Sequence, residues 1–201
     1  SLHALICKGF TYSPYGVGEA GTYVGDGDGG ISHDRETEDV SPAVPEESTK
    51  VTDEGLSHLS TLENLWFLDL EGQRITDEGL ASLRNLRKLQ VLKLQNTPLK
   101  GEGLKHLQNM TRLKQLSLVW TDITDKALRQ VRKLENLHVL SLYGTCVSDE
   151  GLTHLRDLEE LRNLYLGRTN VAGPGLKHIE GLQKLGLLDL SRTRVTGEGL
   201  S

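Results

Sequence analysis

VSDEGLTHLRDLEELRNLYLGRTN, residues 147–170, decides the architecture of this chain. Its first half carries leucines three apart, Leu152, Leu155 and Leu158, which is the spacing of one face of a short helix. Its second half sets Leu164 and Leu166 on either side of Tyr165, the period of a strand with one buried face. The pattern recurs. VTDEGL begins at Val51, ITDEGL at Ile75, LKGEGL at Leu99, ITDKAL at Ile123, VAGPGL at Val171 and VTGEGL at Val195, each start 24 residues from the next once Val147 is counted. Six units are complete, and a seventh stops at Ser201.

Numbering each unit from its first residue, the sixth position is always Leu: Leu56, Leu80, Leu104, Leu128, Leu152 and Leu176. The fifteenth, eighteenth and twentieth are Leu throughout, the twelfth is Leu or Met110, and the first and ninth are aliphatic. One unit cannot bury seven apolar positions by itself, but stacked neighbours can. Each unit is therefore expected to be a strand, a turn and a short helix. Thr52 and Asp53 precede the first helical turn and are expected to cap its free N–H groups, a device repeated at Thr76-Asp77, Thr124-Asp125 and Ser148-Asp149. At the twenty-third position stand Gln73, then Thr97, Thr121, Thr145, Thr169 and Thr193. Their hydroxyls are expected to satisfy backbone groups left open where the chain turns out of the strand.

The pattern L-x-x-L-x-L-x-x-T-x-[VI]-T-D-x-G-L, seen in LRNLYLGRTNV (161–171) and LHVLSLYGTCV (137–147), resembles the leucine-rich-repeat superfamily. The T-D-x-G-L start, with Thr in place of the usual Asn or Cys, is most similar to short-repeat bacterial members. It also resembles the cysteine-type repeats of F-box substrate receptors. The resemblance covers residues 51–201. It implies an α/β solenoid with a parallel sheet on the concave side and short helices on the convex side. A solenoid of this class is a binding surface, and its ligand differs from member to member.

Residues 1–50 do not join the repeat. They hold Lys8, Arg35 and Lys50 against nine carboxylates, a net of −6, whereas residues 51–201 hold 20 basic and 19 acidic residues, a net of +1. Glycines fill the span 16–30, and the span 31–50 is acidic with Pro42 and Pro45, the composition of a disordered linker. Neither part has the basic excess of a nucleic-acid binder. No run of some 18 apolar residues is long enough to span a membrane. No intact signal peptide is visible, and compartment is unreadable beyond a slight preference for the cytoplasm. Because the seventh unit is unfinished, the natural protein is expected to continue past Ser201.

Several motifs point to chemistry and fall short of it. Gly16, Gly18 and Gly21 form G-x-G-x-x-G, but GDGDGG follows where a phosphate loop needs a helix. Asp26 and Asp28 lack the closing Glu of a calcium loop. His58, His106, His154 and His178 share the eighth position of their units, and two neighbours without a third ligand make no zinc site. Cys7 and Cys146 are expected to be free thiols. No nucleophile has a positioned base, so no enzyme, metal or cofactor is expected.

The aromatics carry the functional signal. Trp66, Phe67, Trp120, Tyr143 and Tyr165 avoid all seven core positions and fall between the sixteenth and twenty-second, the non-leucine slots of the strand segment. Trp66 and Phe67 are as readily explained by packing under the leader. Trp120, Tyr143 and Tyr165 lie on three consecutive units and are expected to step diagonally across the concave face as one patch. Val119, Arg168 and Arg192 flank it. Tyr, Trp and Arg are the side chains most enriched at binding hot spots. The expected function is recognition of a protein or peptide, with the two arginines favouring carboxylates. Stacked aromatics would also serve a carbohydrate or cell-surface ligand. A substrate-recruiting subunit of a ubiquitin-ligase-like complex is a further alternative.

Overall fold

A computed structural model describes residues 50–197. The glycine motifs, Cys7 and all but Lys50 of the leader expected over residues 1–50 lie outside the described residues, as do the last four residues.

Each unit contributes one three-residue strand centred on its eighteenth-position leucine. The strands are Phe67–Asp69 (β1), Val91–Lys93 (β2), Gln115–Ser117 (β3), Val139–Ser141 (β4), Asn163–Tyr165 (β5) and Leu187–Asp189 (β6). They form one parallel sheet in sequence order. Registers are uniform, pairing Leu68 with Leu92, Leu116 with Leu140 and Leu164 with Leu188. The equal repeat length is the cause, since any insertion would shift the leucine columns out of line. This is an α/β leucine-rich-repeat solenoid.

The return segments are short. Asp53–Ser57, Asp125–Val131 and Asp149–Leu152 are α-helical, while Gly79–Leu83, Glu102–Leu107 and Pro174–His178 are 3-10 turns. A 3-10 turn has three residues per turn and a longer rise per residue. That suits leucines spaced by three and a unit with few residues to spare. Between helix and sheet lies one continuous core containing Leu80, Leu104, Leu128, Leu140, Leu142 and Leu164, all at most 1% exposed. The two ends of the described stack are apolar and open: Leu62 and Trp66 at one end are 47% and 61% exposed, Leu187 and Leu188 at the other 39% each.

Thr97, Thr121, Thr145 and Thr169 are buried, and each hydroxyl donates to the carbonyl of the twentieth-position leucine of its own unit at 2.6–2.7 Å. The caps differ from expectation. Thr52 and Thr124 make no side-chain cap, whereas Ser148 accepts from the Glu150 N–H and Thr76 from the Glu78 N–H, each at 3.3 Å. The aspartates reach across to the next unit instead. Asp53 accepts from the backbone N–H and hydroxyl of Thr76, and Asp125 does the same with Ser148. Asp77 accepts from the N–H groups of Lys100, Gly101 and Gly103 at 2.8–3.0 Å, and Asp149 from those of Ala172, Gly173 and Gly175 at 2.8–3.1 Å. The parallel stack sets the start of one helix beside the start of the next, so the carboxylate satisfies a neighbour's open donors.

This contact explains the fifth-position glycine. A Cβ at Gly103 would stand 2.4 Å from the Asp77 carbonyl oxygen, and one at Gly151 would stand 2.3 Å from Asp125 Oδ1. The third unit has Gly101 where the first, second, fourth and fifth have Asp (the sixth has Gly173), and the fourth unit then carries Ala127 where the others have Gly. The methyl of Ala127 fills the room left free: a Cβ at Gly101 would be 2.3 Å from it. Beside this joint lies a depression of about 580 Å³ bordered by Gly101, Glu102, Thr124 and Ala127. Cys146, also on its border, is disulfide-bonded, which corrects the expectation of free thiols.

Candidate binding surface

The non-repeating positions of the sheet side form three bands. The sixteenth-position residues line the rim where each strand begins. The seventeenth and nineteenth form the floor. The twenty-first and twenty-second line the rim where each strand has ended and the chain turns. Of the six residues expected to form the site, only Tyr165 lies within a strand. Val119, Trp120, Tyr143, Arg168 and Arg192 sit in the turns that follow.

Those turns have one backbone requirement. The twenty-second residue is left-handed in all six units, with φ of 67° at Gly72, 55° at Asn96, 54° at Trp120, 71° at Gly144, 54° at Arg168 and 57° at Arg192. Glycine and asparagine adopt this conformation readily, whereas Trp and Arg are strained by on the order of 1–3 kcal/mol each. Strain of this kind collects at functional positions and is held there by the surrounding contacts. Here the register fixes the turn, since the N–H of Trp120 donates to the Tyr143 carbonyl at 3.0 Å and that of Arg168 to the Ser191 carbonyl at 2.8 Å.

The structure brings three of the six side chains into direct contact. Trp120 and Tyr143 meet edge to face, with ring centroids 5.6 Å apart at 81°. The Arg168 guanidinium stands 5.7 Å from the Trp120 ring, a cation–π arrangement. Each ring has a glycine seat in the following unit. A Cβ at Gly144 would fall 2.5 Å from the Trp120 ring, and one at Gly167 would fall 2.6 Å from the Tyr143 ring. Val119 shares the turn, and its carbonyl accepts from the Asn96 N–H at 2.9 Å. Arg168 Nε is buried with no acceptor.

Tyr165 and Arg192 stand apart from this cluster. Tyr165 lies on the floor, in register with Ser141 and Asp189. It lines a shallow depression of about 250 Å³ with Lys93, Gln95, Gln115, Ser117 and Ser141. Arg192 is exposed in the turn after β6. The expected diagonal patch is thus an aromatic rim plus one tyrosine on the adjoining floor. The glycine seats have a signal in the sequence that shows only between units: Gly144 follows Trp120, and Gly167 follows Tyr143, by one repeat length.

Trp66 and Phe67 form a second aromatic pair at the open end, with centroids 5.8 Å apart and Lys93 over the Phe67 ring at 5.5 Å. Among the described residues, no group of three or more His, Cys, Asp or Glu is placed to hold a metal ion. Among the same residues, no helix is long and apolar enough to cross a membrane.

The repeat length, the single parallel sheet and the threonine row define a leucine-rich-repeat fold. Among solved structures, the chain is similar to an internalin from Listeria monocytogenes, with a TM-score of 0.58 and 25% identity over 72% of this chain and 47% of that one. It is also similar to an internalin C2 from the same organism, with a TM-score of 0.59 and 23% identity over 76% of this chain and 73% of that one. The chain thus spans less than half the length of the first of these. No family model and no curated protein matches the sequence.

Proposed function

We propose that this protein is a recognition module that binds a protein or peptide ligand on the concave side of its solenoid. The contact would centre on Trp120, Tyr143 and Arg168, with Val119, Tyr165 and Arg192 around them. The observation that carries this reading is the strained turn. Two bulky residues, Trp120 and Arg168, are held in a left-handed conformation that glycine serves at the same position in two other units. Packing alone does not call for a guanidinium over an indole at a sheet rim, whereas hot spots are rich in this trio of side chains. Arg168 and Arg192 favour a ligand with carboxylates.

The left-handed turn also supplies a clean test. Arg168→Gly removes the guanidinium and relieves the backbone, so binding and folding are expected to move in different directions. Peptides selected from a phage-displayed library on the full chain are expected to be acidic. They should bind Arg168→Gly at least about tenfold more weakly, the effect of losing one charged hot-spot contact, while the melting temperature stays level or rises. Selected peptides that bind the variant unchanged would remove the rim from the site. Capture restricted to oligosaccharides on a glycan array would replace the protein ligand with a carbohydrate.

A further inference from the structure

The opposite rim of the sheet is basic. Lys114, His138 and Arg162 occupy the sixteenth position of three consecutive units. The Lys114 carbonyl accepts from the N–H groups of His138 and Val139 at 2.8 and 2.9 Å, and the His138 carbonyl accepts from those of Arg162 and Asn163 at 2.8 and 3.0 Å. These bonds fix the three residues one above the next at the strand spacing of about 4.8 Å. Lys114 and Arg162 are exposed, and His138 between them is half-buried. The imidazole senses its setting: burial, then Arg162 and Lys114, hold its pKa below the ordinary value, with Lys184 acting in the same direction and Glu160 against it. Glu160 is itself paired with Lys184.

The floor beside this column carries no carboxylate on β3, β4 or β5, where the residues are Gln115 and Ser117, Val139 and Ser141, and Asn163 and Tyr165. The floor acids stand at the ends of the sheet, Asp69 paired with Lys93 at 3.1 Å and Asp189 bonded to the Ser191 N–H. Among the described residues, no carboxylate is within ion-pair distance of Lys114 or Arg162. Lys114 and Arg162 are like charges two strands, or about 10 Å, apart on one rim, and a complementary segment relieves their opposition.

We propose that this basic column is a docking surface for an acidic polypeptide segment, and that residues 34–47 of this chain occupy it. That stretch, DRETEDVSPAVPEE, carries six carboxylates against Arg35 alone, which places most of the leader's negative charge in one run. It ends three residues before Lys50, where the described chain begins beside the first unit. Extended, it covers up to about 46 Å, whereas β3 to β5 lie only about 10–19 Å from β1. Reach and charge therefore agree. The occupant is joined to the surface by its own chain, so it competes at high effective concentration with any external acidic ligand. The proposal is independent of the aromatic rim and does not fall with it.

The test uses the full chain. His138 is titrated by NMR at low salt in the unmodified protein and in a variant with Asp34→Asn, Glu36→Gln, Glu38→Gln, Asp39→Asn, Glu46→Gln and Glu47→Gln. Carboxylates near the imidazole favour its charged form, so their removal is expected to lower the His138 pKa by roughly 0.5 units at a separation near 7 Å in water. The shift should shrink as salt is raised. Zero-length carbodiimide cross-linking of the unmodified chain gives a second readout. Residues 34–47 are expected to join to Lys114 within the monomer and far less to Lys105. An unchanged His138 pKa, or equal cross-linking to Lys105, overturns the proposal and leaves the column to an external ligand. Cross-links to Lys114 confined to a dimer band overturn it in favour of a second copy.

Discussion

The joint between the second and third units differs from the joint between the third and fourth. At the first, Asp77 accepts three backbone N–H bonds from its neighbour, and Gly103 lets the two backbones approach. At the second, Gly101 replaces the carboxylate and Ala127 fills the gap with a methyl. The first joint is held at its helical starts by charge-assisted hydrogen bonds; at the same place the second has a small apolar contact, with a neutral Gln108–Gln130 side-chain hydrogen bond further along the helical edge. It is across the second joint that Trp120 of the third unit meets Tyr143 of the fourth, at the sheet rim. Where the carboxylate strap is missing on one edge, an aromatic strap is present on the other. Equal repeat length therefore does not mean equal joints, and the rim cluster joins units as well as offering a surface.

The largest expected effect lies away from both joint types. Leu140 is fully buried in β4, and Leu140→Ala is expected to lose about 2–5 kcal/mol by leaving a cavity. Calorimetry is expected to show the array splitting near the fourth unit, because the leucine core of each unit packs against its neighbours, with the Arg168–Trp120 contact reaching one unit further. A loss below about 0.5 kcal/mol would mean that the strand is phased differently.

The joints themselves come next. Gly103→Ala drives a methyl against the Asp77 backbone and is expected to cost about 1–3 kcal/mol, as overpacking does. Ala127→Gly, the opposite change at the uncharged joint, is expected to cost only about 0.5–1 kcal/mol. Urea melts of the two variants would break the comparison if Ala127→Gly proved the more damaging. Tyr143→Ala and Tyr165→Ala sharpen it further. Tyr143 bridges a joint, and its loss is expected to cost about 0.5–1.5 kcal/mol of ring contact in addition to its burial. Tyr165 spans no such contact and should melt closer to the unmodified protein. Equal melting of the two variants would deny the aromatic strap.

The smallest effect is one of pH. His154, on the helical side, has its pKa held below 6.5 by burial and then by Arg129 and Arg132. As pH falls below 6.5 the unfolded chain takes up the proton before the folded one, so stability is lost on acidification through that window. The urea midpoint is expected to fall more between about pH 7.5 and pH 5.5 in the unmodified protein than in His154→Gln. Identical falls would assign the pH dependence to other groups.

What was legible in the sequence follows the repeat. Leucine columns, strand phase, helix spacing and the threonine row all depend on residues that recur in place, and each is visible in one unit. The partners of the capping aspartates are not visible within one unit, because Asp77 meets residues 23 to 26 positions away, a relation between units. Its trace is present at one joint, where Gly101 and Ala127 depart from the pattern together in adjacent units, whereas Gly173 is followed by an unchanged Gly199. The left-handed turn was hidden in a similar way. Gly72, Asn96 and Gly144 signal it, but Trp120, Arg168 and Arg192 at the same position read as exposed strand residues. Tyr165 was separated from Tyr143 by a two-position difference within the unit, which on this fold is the distance from floor to rim. The basic column contains no aromatic residue, and its three residues come together only when units are stacked.

The aspartate–glycine contact also limits the order in which units can be strung together. A unit that opens with Asp in its third place demands glycine in the fifth place of its successor, while a unit that opens with Gly accepts alanine there. The fourth unit, with Asp125 and Ala127, can follow the third but cannot follow a copy of itself, since its own carboxylate would meet its copy's methyl. The second unit, with Asp77 and Gly79, can be copied in tandem without that clash. The array thus has a grammar of succession, and lengthening it by duplication is open at some units and closed at others.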